Sequence, residues 1–245
     1  MPVFVFVLVD AIMFMARSSL DICLGIGHFH GMTISRNKFI VNMESQMTRR
    51  NYRMNDRAKT QAETRERIVS ATMLLHDEQG VAATSFVDVA KRAGIGAATV
   101  YRHFPTLGSL VAACGAHVWK EMDPPLPEQA PAIFKGIDRT EDRLRCLVDE
   151  LDRFYRRGAL RLTAASADRH LVPELDEFLR AVEAGVAALV REAVKDEALP
   201  DSVLQLMLAL MDFPVWTSMQ RIKGDDLERR RLVAGLLGRA ISLAR

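Results

Sequence analysis

The sequence predicts an all-α chain, with a small three-helix unit near the N-terminus and a larger helical domain after it. Three observations carry this. Past residue 48 apolar residues recur at helical spacing, with no sustained period-two alternation and no Asn-Gly hairpin signal. Glycine and proline punctuate that pattern at Gly80, Gly94 and Pro105. The run MDPPLPEQAP, with Pro124, Pro125, Pro127 and Pro131, forbids a continuous helix and marks a boundary. A length of 245 residues leaves room for one large or two modest domains.

Charge is unevenly placed. The net charge is only +2, but residues 1–48 hold just six charged residues together with five of the 11 Phe and six of the 12 Met. The opening segment MPVFVFVLVDAIMFMA has no positive residue ahead of its apolar run, which makes it a poor secretory signal. Asp10 interrupts that run and Arg17 follows it, so it falls short of the ~20 residues that span a bilayer. Residues 1–55 are expected to be a disordered extension or a misassigned translation start, with Met43, Met47 or Met54 as the working initiator. From Arg49 to Arg67 seven basic residues (Arg49, Arg50, Arg53, Arg57, Lys59, Arg65, Arg67) face three acidic ones (Asp56, Glu63, Glu66), which makes a basic arm.

The elements follow in order. A first helix is expected from about Glu63 to Gln79, with Ile68, Ala71 or Thr72, and Leu75 on one buried face and Gly80 as its C-cap. Thr84 or Ser85 can cap a second helix, Ser85 with Asp88 fits a capping box, and Gly94 ends it by taking a positive φ. A short third helix covers about Gly96 to Phe104 and stops at Pro105. Thr106 can cap a fourth over roughly Leu107 to Glu121. Residues 122–136 read as a Pro-rich linker. Beyond it, the pattern predicts helices over about Asp138–Arg157 (capped by Asp138 and Glu141), Ala159–Ala167, Pro173–Lys195, Ser202–Ile222 with a kink at Pro214, and Asp225–Ala240.

Two short helices joined by Ala-Gly-Ile behind a supporting helix form a helix-turn-helix layout. Ile95, Val100 and Phe104 pin the third helix to the core, leaving Ala97, Ala98, Thr99, Tyr101 and Arg102 outward. Small residues at its start admit the close approach of DNA in a major groove, and large ones at its end grip the backbone.

The stretch TSFVDVAKRAGIGAATVYRHFPTLGSL, with TRERIVSATMLLHDEQGV upstream, resembles the DNA-binding region of TetR/AcrR-type regulators over about residues 61–121, with the motif at 84–103. The resemblance implies that Thr84 meets a phosphate, Ala97, Ala98 and Thr99 face bases or thymine methyls, and Tyr101 presses on the sugar-phosphate backbone. It implies that His103 reaches a phosphate and Arg102 a guanine or phosphate. Two features depart from it. Many members carry a polar pair where this chain has Gly96-Ala97, and a lysine where it has Thr106-Leu107-Gly108. Affinity is therefore expected to lean on the basic arm.

The resemblance further implies a bacterial, cytoplasmic homodimer without a cofactor, which binds double-stranded DNA at a palindromic operator and represses until a small-molecule effector releases it. Residues 137–245 would hold the effector and the dimer contact. Leu232, Leu236, Ala240 and Leu243 make an apolar stripe on the last helix, with Gly235 and Gly238 allowing close approach. Phe154, Tyr155, His170, Phe178, Met207, Met211, Phe213 and Trp216 are candidates for the effector pocket, and no membrane partner is expected.

Other readings are weaker. No nucleophile–base pair, phosphate loop or metal motif points to an enzyme. Cys114 and His117 lie one turn apart, but no second ligand pair stands near. Three cysteines (Cys23, Cys114, Cys146) suit a reducing compartment rather than a disulfide framework. A thiol sensor at Cys114 or Cys146 would need a cationic neighbourhood, and Arg143 and Arg145 near Cys146 are the only hint of one.

Overall fold

The computed structural model describes the backbone of residues 36–244 and the side chains of residues 54–244. The chain divides into two units, residues 1–54 and 55–245. The apolar opening segment, and the side chains of Arg49, Arg50 and Arg53 in the basic arm, lie outside the described residues. Among the described residues the chain forms ten α-helices and no strand.

Helix α1 (Arg36–Gln79) begins well ahead of the expected Glu63. No proline or glycine stands between those two ends, so nothing in the chain stops the helix earlier. Gly80 (φ 87°) then turns the chain. Helix α2 (Phe86–Ala93) is capped by Ser85, whose side chain and that of Asp88 close the capping box. Gly94, at φ 64°, ends it in the left-handed conformation. Helix α3 (Ala97–His103) follows after one turn, and α4 (Leu107–Met122) starts on a Thr106–Ser109 box. Ile68 and Leu75 of α1, Val89 of α2, Val100 and Phe104 around α3, and Leu110 of α4 are all buried together, making the core around the helix-turn-helix.

The expected linker is more ordered than its prolines suggest. Pro127–Gln129 forms a 3-10 turn and α5 (Ala130–Ile133) follows, with Ala130 and Phe134 buried. The carbonyl of Pro125 presses on Gly185, where any side chain would collide with it. The segment is therefore part of the wall of the larger domain.

The two helices expected over 138–167 are one, α6 (Thr140–Asp168). Its N-cap is Arg139, without a side-chain capping bond, in place of Asp138 and Glu141. Gly158 does not break it, because the glycine packs against the thioether end of Met122, and tertiary contact outweighs a penalty of about 1 kcal/mol. Helix α7 (Pro173–Ala193) opens on the anticipated first-turn proline. The segment around Pro214 breaks rather than kinks. Helices α8 (Asp201–Leu210) and α9 (Phe213–Met219) meet at 56°, and the Asp212 side chain accepts the Phe213 N–H at 2.8 Å. Helix α10 (Asp226–Leu243), capped by Asp225, packs on α6 and α8. Among the described residues no single helix is long and apolar enough to cross a membrane.

Candidate nucleic-acid interface

Helices α2 and α3 pack on each other, held at the turn by Ile95, whose N–H bonds back to the Ala90 carbonyl at 3.0 Å. Val100 is fully buried, which fixes the rotation of α3 and turns Ala98, Tyr101 and Arg102 outward. Thr99 and His103 are half-buried, and Ala97 packs partly on the core. Tyr101 is 53% exposed, and its ring stands edge-on to Phe86 of α2 with centroids 4.6 Å apart. That contact props the ring up and leaves the hydroxyl outside. Gly96 caps α3 with no neighbour within 4 Å of where its Cβ would stand. The bare start and bulky end read from the sequence share one open face.

Thr84 differs from its expected role. It is 4% exposed, and its hydroxyl donates to the Gly80 carbonyl at 2.8 Å. Ser85 rather than Thr84 is the N-cap of α2. The Thr84 side chain therefore fastens the loop 80–84 and points inward. Its neighbours explain this: the capping box claims the outward position, so the preceding residue points inward.

Two arginines, one ahead of the motif and one within it, brace the helix-turn-helix. Arg65 of α1 lies over the Phe104 ring, 4.2 Å from its centroid, and reaches the His103 carbonyl at 3.4 Å. Arg92 of α2 pairs in both prongs with Glu78 of α1, at 2.9 and 2.5 Å. Burial first, then the cations of Arg102 and Arg65, hold the His103 imidazole below its ordinary pKa. At neutral pH it can offer an uncharged N–H. Arg65 was visible in the sequence only as one positive charge in a basic run, and nothing local singled it out.

The aromatic candidates of the larger domain fall into two groups. Tyr155, Phe213 and Trp216 form a cluster with centroid separations of 5.4 to 5.9 Å, and Phe154 stacks obliquely on Tyr155 at 5.2 Å. The Tyr155 hydroxyl donates to the Met211 carbonyl at 2.7 Å, and burial drives its pKa upward. Met207 is fully buried in the same core. Tyr155, Met211 and Trp216, with Leu151 and Val233, line a cavity of about 30 Å³, room for water rather than for a ligand of about 300 Å³ or more. Phe178 instead faces Trp119 at 5.6 Å, and His170 is exposed in the turn after α6.

Beside the cavity lies a buried carboxylate that the sequence did not reveal. Asp152 accepts the Trp216 indole N–H at 2.9 Å, Arg156 Nε at 2.8 Å and Arg230 Nη1 at 3.2 Å. Burial alone would raise its pKa, but the bonds from Arg156, Trp216 and Arg230 prevail and hold it low. On α10, Leu232, Leu236 and Leu243 are exposed and Ala240 is half-buried, so the three leucines are left uncovered among the described residues.

Cys114 and Cys146 do not favour a redox reading. Cys114 is buried, its Sγ lies 4.0 Å from the Val69 carbonyl, and burial pushes its pKa up to about 12. Burial, then the Glu150 charge, raises Cys146 as well. His117 pairs with Glu66 at 3.2 Å, whereas Cys114 faces the core.

Residues 68–114 match the family described as bacterial regulatory proteins, tetR family. No curated protein matches the chain in sequence. Similar solved structures include a transcriptional regulator from Rhodococcus sp. Rha1, 19% identical at a TM-score of 0.50 over 74% of this chain and 95% of that one. The multidrug binding protein EbrR, complexed with imidazole, is 20% identical at a TM-score of 0.51 over 73% and 89%. A TetR transcription regulator from Haloarcula marismortui is 17% identical at a TM-score of 0.50 over 75% and 98%. At these identities the likeness is one of fold.

Proposed function

We infer, from the match of residues 68–114 to the tetR family and the open face of α3, that this chain is a DNA-binding transcriptional regulator of the TetR/AcrR kind, working as a dimeric repressor on a palindromic operator and leaving it when a small molecule binds. The single observation that carries this is the open face of α3, where Ala98, Tyr101 and Arg102 stand clear of a rigid core. One such face reads one half-site. Two related by a two-fold axis read two half-sites about 34–36 Å apart, one turn of DNA.

The exposed Leu232, Leu236 and Leu243 support α10 as the contact between copies. Ala97, Ala98 and Thr99 would face the bases, and Tyr101, Arg102 and His103 the backbone or a guanine edge. The basic arm adds phosphate contacts that the missing polar residues at Gly96-Ala97 do not provide.

The effector is assigned to the region of Tyr155, Met211 and Trp216. The break between α8 and α9 supports this, because two short helices can part more easily than one long one. The aromatic lining and the naming of EbrR as a multidrug binding protein both favour an apolar or aromatic molecule. Such a ligand would need the cavity to widen, and widening offers a route to a second arrangement of the reading heads.

The test is selection of duplexes from a random pool by the purified chain, followed by fluorescence anisotropy and sedimentation. A palindrome bound by two copies is expected. A chain that ignores duplex DNA at modest ionic strength, or binds it as a monomer, overturns the reading. Leu236→Glu should leave a folded chain that sediments as a monomer at micromolar concentration.

A further inference from the structure

The corner between α6 and α7, residues 168–174, touches the reading unit at both of its ends. Ahead of α2, Asp168 Oδ2 accepts the N–H groups of Val81 and Ala82, each at 2.8 Å. Gly80 makes this possible, since a Cβ there would stand 3.2 Å from the same oxygen on a backbone that side chains disfavour. After α3, the Glu174 carboxylate fills the space that a side chain at Gly108 would take, in the first turn of α4.

The corner is itself braced. Arg169 bonds Asp176 at 2.7 Å and pairs with Glu183, both on α7. The N–H groups of Leu171 and Val172 return to the Asp168 carbonyl at 2.9 and 3.2 Å. Two turns back on α6, Arg161 donates to the Met73 carbonyl at 3.2 Å and pairs with Asp77, both on α1.

A charged acceptor that grips two successive backbone N–H groups fixes direction as well as distance, because the donors diverge. One attachment would leave a swivel, whereas the Asp168 bonds on one side of the helix pair and the packing of Glu174 on Gly108 on the other leave a defined angle. The loop 80–84 has its own stiffness, from the Thr84 bond to Gly80 and from Gln79 Nε2 to the Ala83 carbonyl at 3.2 Å. An angle set at this loop therefore passes to α2 and α3.

We propose that this corner, through Asp168 and Glu174, holds the reading unit at one angle to the larger domain and so sets the half-site spacing that the dimer accepts. The proposal rests on the dimeric reading above. Asp168 and Glu174 are positioning residues that touch no DNA.

The experiment uses the full chain and the palindrome selected by it. Anisotropy titrations compare that palindrome with versions whose half-sites are moved by one or two base pairs, and with a duplex holding a single half-site. Wild type should prefer its own spacing by about tenfold or more. Asp168→Ala and Glu174→Ala should each flatten that preference to within about threefold, with single half-site binding kept within about twofold. Should Asp168→Ala lose half-site binding through misfolding, the Glu174→Ala profile decides. A wild type with no preferred spacing removes the dimeric reading and this proposal together. A preferred spacing that the folded variants retain overturns this proposal alone.

Discussion

Two tyrosines show how differently the two parts of this chain use one side chain. Tyr101 is 53% exposed, with its ring edge on Phe86 and its hydroxyl outside, whereas Tyr155 is 2% exposed and spends its hydroxyl on the Met211 carbonyl. The first is held out by its neighbours and the second is held in. On the proposed reading, the Tyr101 face must fit a duplex of fixed shape, which constrains it residue by residue. An aromatic interior is constrained mainly by packing, and the same residues serve a core whether or not a ligand ever enters.

The comparison can be broken or sharpened by substitution. The largest effect should come from Phe104→Ala, which empties the core at the end of α3 and also removes the ring under Arg65. Chemical denaturation should show a loss of about 3–5 kcal/mol. Tyr155→Phe strands the Met211 carbonyl, and the loss should be about 1–3 kcal/mol. Tyr101→Phe should leave stability within about 0.5 kcal/mol yet weaken binding to the selected duplex roughly threefold to tenfold. Equal stability losses in the two tyrosine variants would erase the distinction.

Acid provides a fourth test. Asp152 is held below its ordinary pKa of 3.8, so its contribution to stability is present above that value and is lost as pH falls through the depressed folded value. The stability gap between wild type and Asp152→Asn should therefore be widest near neutrality and close in strong acid. A gap that does not change with pH would show that the carboxylate is not the source. The smallest effect belongs to the arm. Arg57→Ala with Arg67→Ala should reduce the slope of log affinity against log salt by about 1 per lost phosphate contact, and an unchanged slope would dismiss the arm as a contributor.

What could be read in advance follows the reach of each interaction. The Ser85–Asp88 box, the Gly94 turn, the stop at Pro105 and the Thr106 cap all depend on residues within four positions, and all stand as the sequence implied. The inward turn of Thr84 was missed because Ser85 competes for the same cap. The continuity of α6 through Gly158 depends on Met122, and the hold on Val81 and Ala82 depends on Asp168, 87 positions from the first of them. No pattern along the chain encodes such pairings. Cys114 could not be judged reactive or inert until its surroundings were seen.

Gly96 has one last implication, for engineering. Its φ of −73° is ordinary for any amino acid, and empty space surrounds the point where a Cβ would attach. A larger polar substituent there would not disturb the fold, so on the proposed reading of DNA by α3 this bare shoulder is a natural place to graft new sequence preferences.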